Sequence, residues 1–149
     1  MLLETLRKLL VRDLEKLKQE IILYKNEKKI WYIEKQILNS AGNLCLHLVG
    51  NLNTYIGKEL GNSGYVRNRD LEFLQKDISR DELIKKVEDT ISVVEKTMSA
   101  LKEEQLKEEY PVLVFREKTS TEYMLVHLAT HLGYHLGQVN YHRRLLDEE

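Results

Sequence analysis

The sequence has very few residues that fix a chain covalently or conformationally, with one cysteine (Cys45) and one proline (Pro111) among 149 residues. A lone cysteine excludes an internal disulfide and is typical of proteins from a reducing compartment. No run of roughly 18 uncharged apolar residues is present, which argues against a membrane span. The N-terminal stretch is charged throughout and lacks the apolar region of a secretory signal. These absences predict a cytoplasmic protein without a membrane partner.

An excess of either charge is also missing, because 23 Lys and Arg stand against 24 Asp and Glu and leave a formal net charge of −1. Nucleic-acid-binding domains usually carry a basic face, so the composition disfavours a nucleic-acid partner. Apolar residues make up 42% of the chain, which is ordinary for a globular protein. A chain of this length can bury a substantial core, and we expect one domain over residues 1–149.

Apolar residues recur at helical spacing in four segments, of which two lie in the N-terminal half. Residues 1–24 carry apolar side chains at steps of three and four, which predicts one amphipathic helix. Asn39 or Ser40 can cap a second helix. This helix is expected to run to about Leu60, where Gly61-Asn62 ends it.

The C-terminal half carries two capping-box patterns. Ser79 with Glu82 predicts the start of a third helix that reaches about Leu101, and Thr119 with Glu122 predicts the start of a fourth. Four amphipathic helices without a convincing strand predict an all-α fold, specifically a four-helix bundle.

A long polar connection covers residues 61–78, between the second and third predicted helices. Connections of this length are unusual in a compact bundle and often shape a binding site. Arg67, Arg69 and Asp70 in this segment either pair with one another at the surface or contact an anionic substrate.

The most informative stretch is HLATHLGYHLGQ, in which His127, His131 and His135 recur every four residues. On a helix they lie near 0°, 40° and 80°, with Gln138 near 20°, at about 100° per residue. Two neutral imidazoles one turn apart can bind the same metal ion, and a third ligand must then come from another part of the fold. The alternative is that inward-facing histidines are hydrogen-bonded core residues, and His-x-x-x-His also arises by chance.

His47, on the second predicted helix, is the leading candidate for the third ligand. Cys45 lies about 200° away from His47 around the same helix, so the two cannot share a metal ion. We therefore expect Cys45 to be a small buried filler.

Several motifs resemble the signatures of the DinB/YfiT-like superfamily. SAGNL and HLVGN, within residues 40–51, resemble its second-helix motif, and residues 131–138 resemble its fourth-helix motif His-x-x-Tyr-His-x-Gly-Gln. Gly64-Tyr65 and Arg69–Phe73 resemble one bacterial branch of that superfamily. The resemblance covers nearly the whole chain.

This resemblance implies a four-helix bundle that holds a divalent metal ion through His47, His131 and His135. His127 corresponds to a position one turn before the ligand pair, and it is expected to line the pocket or support the ligands without binding the metal. Characterised relatives include thiol S-transferases and isomerases that use low-molecular-weight thiols such as bacillithiol, mycothiol or glutathione.

Three neutral histidines leave coordination positions open, as in catalytic zinc sites. An ion of this kind lowers the pKa of a bound water or thiol. Zinc is the expected metal, with nickel and iron as alternatives. Asn51, Tyr134 and Gln138 are candidate substrate contacts. No carboxylate stands at helical spacing beside the ligand pair, so the sequence names no general base.

The functional prediction is therefore a metal-dependent enzyme that transfers a low-molecular-weight thiol to a small electrophilic molecule. Two alternatives are a metal-dependent hydrolase and a non-catalytic metal-binding helical bundle. The expected partner is a small-molecule substrate, and homodimerisation is left open.

Overall fold

Five helices account for most of the chain in this computed structural model, which describes residues 1–148. Within that range the protein forms no strand and only an isolated bridge between Glu109 and Ser120, so the predicted all-α class is confirmed. None of the helices described combines the length and apolarity that a bilayer crossing requires. The helices are α1 (Leu2–Leu23), α2 (α-helical over Ala41–Leu52, π-helical over Asn53–Lys58 and α-helical again over Glu59–Gly61), α3 (Arg69–Leu74), α4 (Arg80–Ala100) and α5 (Thr121–Leu146).

The four long helices pack around a shared apolar core, in which α1 and α2 each contact both α4 and α5. Short 3₁₀ turns at Glu27–Trp31 and Glu103–Lys107 connect them. The core is built from the apolar stripes that the sequence predicts, because residues at steps of three and four share one helix face. Its fully buried aliphatic side chains include Leu10, Leu14, Leu17, Ile21, Leu48, Leu52 and Leu83.

Three of the predicted helix boundaries are confirmed. Ser40 caps α2 by accepting a hydrogen bond from the Asn43 amide at 3.1 Å, and Ser79 caps α4 through the Glu82 amide at 3.2 Å. α2 ends before Asn62, whose φ of 50° places it in the left-handed region that terminates helices.

The predicted cap of the last helix is wrong by one residue. Ser120, not Thr119, caps α5 by accepting a hydrogen bond from the Tyr123 amide at 3.1 Å. The Thr119 carbonyl accepts a hydrogen bond from the Tyr110 amide at 2.8 Å. Thr119 therefore belongs to the loop that precedes α5. This pairing of Tyr110 with Thr119 delays the helix start by one position.

Residues 61–78 are not purely a connection, because they contain α3. Asn68 caps this short helix by accepting a hydrogen bond from the Leu71 amide at 3.3 Å. The Asn43 side chain, at the start of α2, donates to the carbonyls of Glu72 at 2.9 Å and Gln75 at 2.8 Å. These two bonds fix the end of α3 against α2, which is how the segment comes to shape the site.

Two further side chains, Trp31 and Cys45, are buried, and the prediction that Cys45 is a buried filler is confirmed. Trp31 is buried, and its indole nitrogen donates to the Ile78 carbonyl at 3.2 Å. Cys45 is fully buried, and that burial raises the pKa of its thiol to about 12. The thiol therefore acts as an apolar filler at neutral pH.

Candidate metal centre

α2 and α5 bring the three predicted ligands together. His47, His131 and His135 each place a ring nitrogen within 4.8 Å of the other two, and they are the one such group of potential metal ligands among residues 1–148. The Nε2 atoms of His47 and His131 are 3.2 Å apart. The ring centroid of His135 lies 4.6 Å from that of His131 and 5.3 Å from that of His47.

These distances fit a small divalent cation. Zinc binds imidazole nitrogen at about 2.0–2.1 Å, so two ligands of a tetrahedral ion lie about 3.4 Å apart. The 3.2 Å between the two Nε2 atoms is close to that separation. The three imidazoles therefore fit one ion with little rearrangement.

Glu72, on α3, supports the cluster from behind, and sequence reasoning did not find it. The Nδ1 atom of His47 donates to Glu72 Oε1 at 3.1 Å. Arg67 holds the same carboxylate from the other side, with Nε 2.8 Å from Oε2 and Nη2 3.0 Å from Oε1. A carboxylate behind a histidine fixes the orientation and tautomer of the ring, as in many metal sites.

The carboxylate reaches this position because residue 50 is glycine. A Cβ atom at Gly50 would overlap the Glu72 carboxylate. Glu72 is only 6% exposed and lies directly against the backbone of α2. A side chain at position 50 would push the carboxylate away from His47.

Electrostatics fix the tautomer of His47. Burial acts to raise the pKa of Glu72, but hydrogen bonds from His47 and Arg67 more than offset this effect and hold the pKa below its ordinary value. An ionised carboxylate can only accept hydrogen bonds, so Nδ1 of His47 must carry the proton. Its Nε2 atom then presents a lone pair toward His131.

The two histidines of α5 are also held as neutral rings. Burial, reinforced by the neighbouring histidines, lowers the pKa of His131 to about 4. Burial lowers the pKa of His135 as well, although its hydrogen bond to Gln138 acts in the opposite direction. Nδ1 of His135 lies 2.7 Å from Gln138 Oε1 and donates to it, which leaves Nε2 as the lone-pair nitrogen. Both rings are in the form that binds metals.

His127 lies beside the cluster and outside the group of three. Its ring stacks on His131 at a centroid distance of 6.0 Å and packs edge-on against Phe115 at 4.8 Å. His127 thus contacts His131, one of the three clustered histidines. Its effect on metal binding stays a prediction.

A cavity of about 500 Å³ opens next to the cluster, with His135 in its wall. Two of the predicted substrate contacts, Tyr134 and Gln138, line this cavity. Asn51 lies elsewhere: it is buried in α2, and its Oδ1 atom has no hydrogen-bond partner among residues 1–148. Tyr134 and Gln138 therefore lie at one cavity, whereas Asn51 does not line it. The role of Asn51 stays a prediction.

Of the two alternatives for Arg67, Arg69 and Asp70, mutual pairing is not found among the described residues, and contact with an anionic substrate stays a prediction. Arg67 is partly buried and pairs with Glu72, whereas Arg69 and Asp70 are exposed. Arg67 turns inward because the buried carboxylate needs a cationic partner.

A second buried histidine, His142, was also missed. The Tyr24 hydroxyl donates to its Nδ1 atom at 2.6 Å, and its Nε2 atom donates to the Tyr32 carbonyl at 2.8 Å. Both partners come from distant parts of the sequence, which gives no local signal for the pair. For Glu72 a signal existed, because a glycine within a helix often marks a close approach by another group.

Comparison with known proteins identifies one family and no individual relative. No curated protein and no solved structure matches the chain. A family profile described as "Protein of unknown function (DUF1572)" matches residues 2–149. That match spans every helix and all three clustered histidines, and the chain therefore belongs to the DUF1572 family.

Proposed function

We propose that His47, His131 and His135 hold one divalent cation, with zinc as the expected metal, in a four-helix bundle of the DinB/YfiT-like type. We further propose that the protein is a metal-dependent enzyme that transfers a low-molecular-weight thiol to a small electrophile. The observation that carries the proposal is the convergence of three imidazoles beside a cavity large enough for a small molecule. Cavities of roughly 300–1,000 Å³ are typical of small-molecule sites.

A cation bound by three histidines retains open positions and lowers the pKa of a thiol or water that binds there. The surrounding side chains supply the rest of the site. Glu72 and Arg67 hold the His47 ring, and Gln138 holds the His135 ring. Tyr134 and several aliphatic side chains form the cavity wall beside His135.

Thiol transfer is favoured over hydrolysis by the placement of carboxylates. Hydrolysis at a metal centre commonly uses a nearby Glu or Asp as general base. Among the described residues, none of the side chains that line the cavity is a carboxylate, and Glu72 is committed to His47 and Arg67. A thiol has a much lower ordinary pKa than water, so it would ionise more readily beside a bound cation and would depend less on a general base.

The test is metal removal from untagged protein by chelation, followed by elemental analysis, far-UV circular dichroism and turnover measurements. The apolar core of four helices does not depend on an ion, so we expect the helical signal to persist. Transfer of a thiol from a panel of low-molecular-weight thiols to monochlorobimane should disappear and should return when metal is added back.

Three outcomes would separate the alternatives. Unfolding of the metal-free protein would favour a structural role for the ion. Turnover of esters or amides without thiol transfer would favour the hydrolase. Absence of both activities in fully metal-loaded protein would favour a non-catalytic bundle.

A further inference from the structure

We propose that the cavity beside His135 is a binding site for an uncharged, largely apolar small molecule. The assignment of that molecule as the electrophilic substrate rests on the proposed function, whereas the binding itself does not. The inference comes from the side chains of the cavity wall, which are Gln36, Ile37, Leu38, Asn39, Leu44, Tyr134, His135, Gln138, Tyr141, His142 and Leu145.

The wall contains no Lys, Arg, Asp or Glu among the described residues, although such residues make up 32% of the chain. The absence of charged side chains is local to this cavity, because a neighbouring groove of about 440 Å³ does contain them. That groove lies between α1 and α5, and its lining includes Arg12, Asp13, Lys16 and Glu20. Charged side chains of α1 thus line the groove between α1 and α5, but none lines the cavity beside His135.

The two histidines in the wall are hydrogen-bonded to other parts of the protein. Both ring nitrogens of His142 are occupied, by Tyr24 and by the Tyr32 carbonyl. His135 donates through Nδ1 to the Gln138 side chain at 2.7 Å. In the metal-free protein, an anion in the cavity would lose hydration without gaining a Lys or Arg partner from the wall, which is strongly unfavourable.

The rim of the cavity is apolar and exposed to an unusual degree. Leu38 is 85% exposed, Tyr134 is 66%, Tyr141 is 63% and Leu145 is 62%. A contiguous group of exposed apolar side chains marks a binding surface more often than chance placement. Because this group surrounds a concave volume with His135 in its wall, the occupant that fits is a small molecule and not a second copy of the chain.

The experiment compares two fluorescent probes that share one skeleton and differ in charge. N-phenyl-1-naphthylamine is neutral, and 8-anilinonaphthalene-1-sulfonate carries one negative charge. We expect the neutral probe to bind the full-length protein, prepared without metal, at least about tenfold more tightly, which corresponds to about 1.4 kcal/mol. Equal or tighter binding of the sulfonate would overturn the proposal.

Two substitutions of exposed leucines locate the site. Leu38→Glu places a charge on the rim and should weaken binding of the neutral probe by about tenfold. Leu113→Glu is the matched control: Leu113 is 60% exposed and outside the cavity wall, so binding should not change. Equal effects of both substitutions would overturn the assignment. So would light scattering that shows a dimer which Leu38→Glu converts to monomers, because the rim would then be a subunit interface.

The outcome can be separated from that of the proposed function. Selective binding of the neutral probe without metal binding or turnover would support the cavity and contradict the enzyme. Metal-dependent thiol transfer without probe binding would support the enzyme and contradict the cavity assignment. When both hold, the neutral probe should inhibit turnover competitively with the electrophile.

Discussion

His47 and His142 are both buried histidines, but the protein uses their ring nitrogens differently. His142 is 4% exposed, and both of its nitrogens are hydrogen-bonded, one to the Tyr24 hydroxyl and one to the Tyr32 carbonyl. His47 is 7% exposed, and Glu72 occupies only its Nδ1 atom. Its Nε2 atom points at another histidine, 3.2 Å away.

The difference separates a core histidine from a candidate ligand better than burial does. A core histidine needs a partner for each polar atom, because an unpartnered buried group is costly. His142 meets that requirement within the protein. His47 meets it only if an ion, or a proton on a neighbouring ring, occupies the space among the three histidines. The comparison can be tested by changing each histidine and the groups around it.

The largest expected effect is on metal content. His131→Ala removes one of three ligands, and elemental analysis of untagged protein should detect no stoichiometric metal. His142→Ala should keep a full equivalent, because both nitrogens of His142 are used elsewhere. A full equivalent in His131→Ala would contradict the ligand assignment.

The next effect is on folding, and here the substitution of His142 is expected to matter. His142→Ala leaves the Tyr24 hydroxyl buried without its partner and creates a cavity, which should lower the free energy of unfolding by about 3 kcal/mol. Urea denaturation of the metal-free protein measures this change. His127→Ala is the control, because no hydrogen bond of the His127 ring is lost among the described residues. A loss below about 1 kcal/mol would show that His142 is not a structural residue.

A smaller effect is expected at Glu72, which touches a ligand and not the ion. Glu72→Gln keeps the shape of the side chain but removes the charge that faces His47 and Arg67. We expect metal affinity to fall by about 10- to 100-fold, as is common for groups behind a ligating histidine. A competition titration with a chelator measures it, with the exposed Glu104→Gln as control. Unchanged affinity would mean that His47 needs no positioning by α3.

The smallest effect is expected at His127, which stacks on His131 from outside the cluster. His127→Ala should change metal affinity by less than about threefold, because the ring supports a ligand only by packing. The same competition titration provides the measurement. A loss as complete as that of His135→Ala would place His127 among the ligands.

The histidine cluster could be predicted from the sequence because helical spacing fixes which side chains share a face. His131 and His135 are one turn apart, and that relation holds wherever the helix lies. The same reasoning cannot find Glu72, whose position depends on how α3 packs against α2. Asn43 fixes that packing through carbonyls 29 and 32 residues away. Gly50 indicates that some group approaches α2 closely, but only the tertiary structure identifies that group as Glu72.

His142 and the π-helical turn illustrate the same limit. Tyr24, which directly follows α1, is a partner of His142 and lies 118 residues away, and nothing in the local sequence predicts that contact. The π-helical segment Asn53–Lys58 coincides with contacts to other elements, because the Tyr55 carbonyl accepts from Tyr110 at 2.6 Å and Asn53 donates to Thr90 at 2.9 Å. Spacing predicted the helix there but not its altered hydrogen bonding.

The close approach of Glu72 to Gly50 has a consequence for the sequences that can share this site. Because a Cβ at position 50 overlaps the carboxylate, the two positions cannot vary independently. A homologue with alanine or a larger residue at the position of Gly50 must carry a shorter or displaced side chain at the position of Glu72. Covariation of these two positions should therefore distinguish homologues that keep the hydrogen bond between His47 and Glu72 from homologues that keep the fold without it.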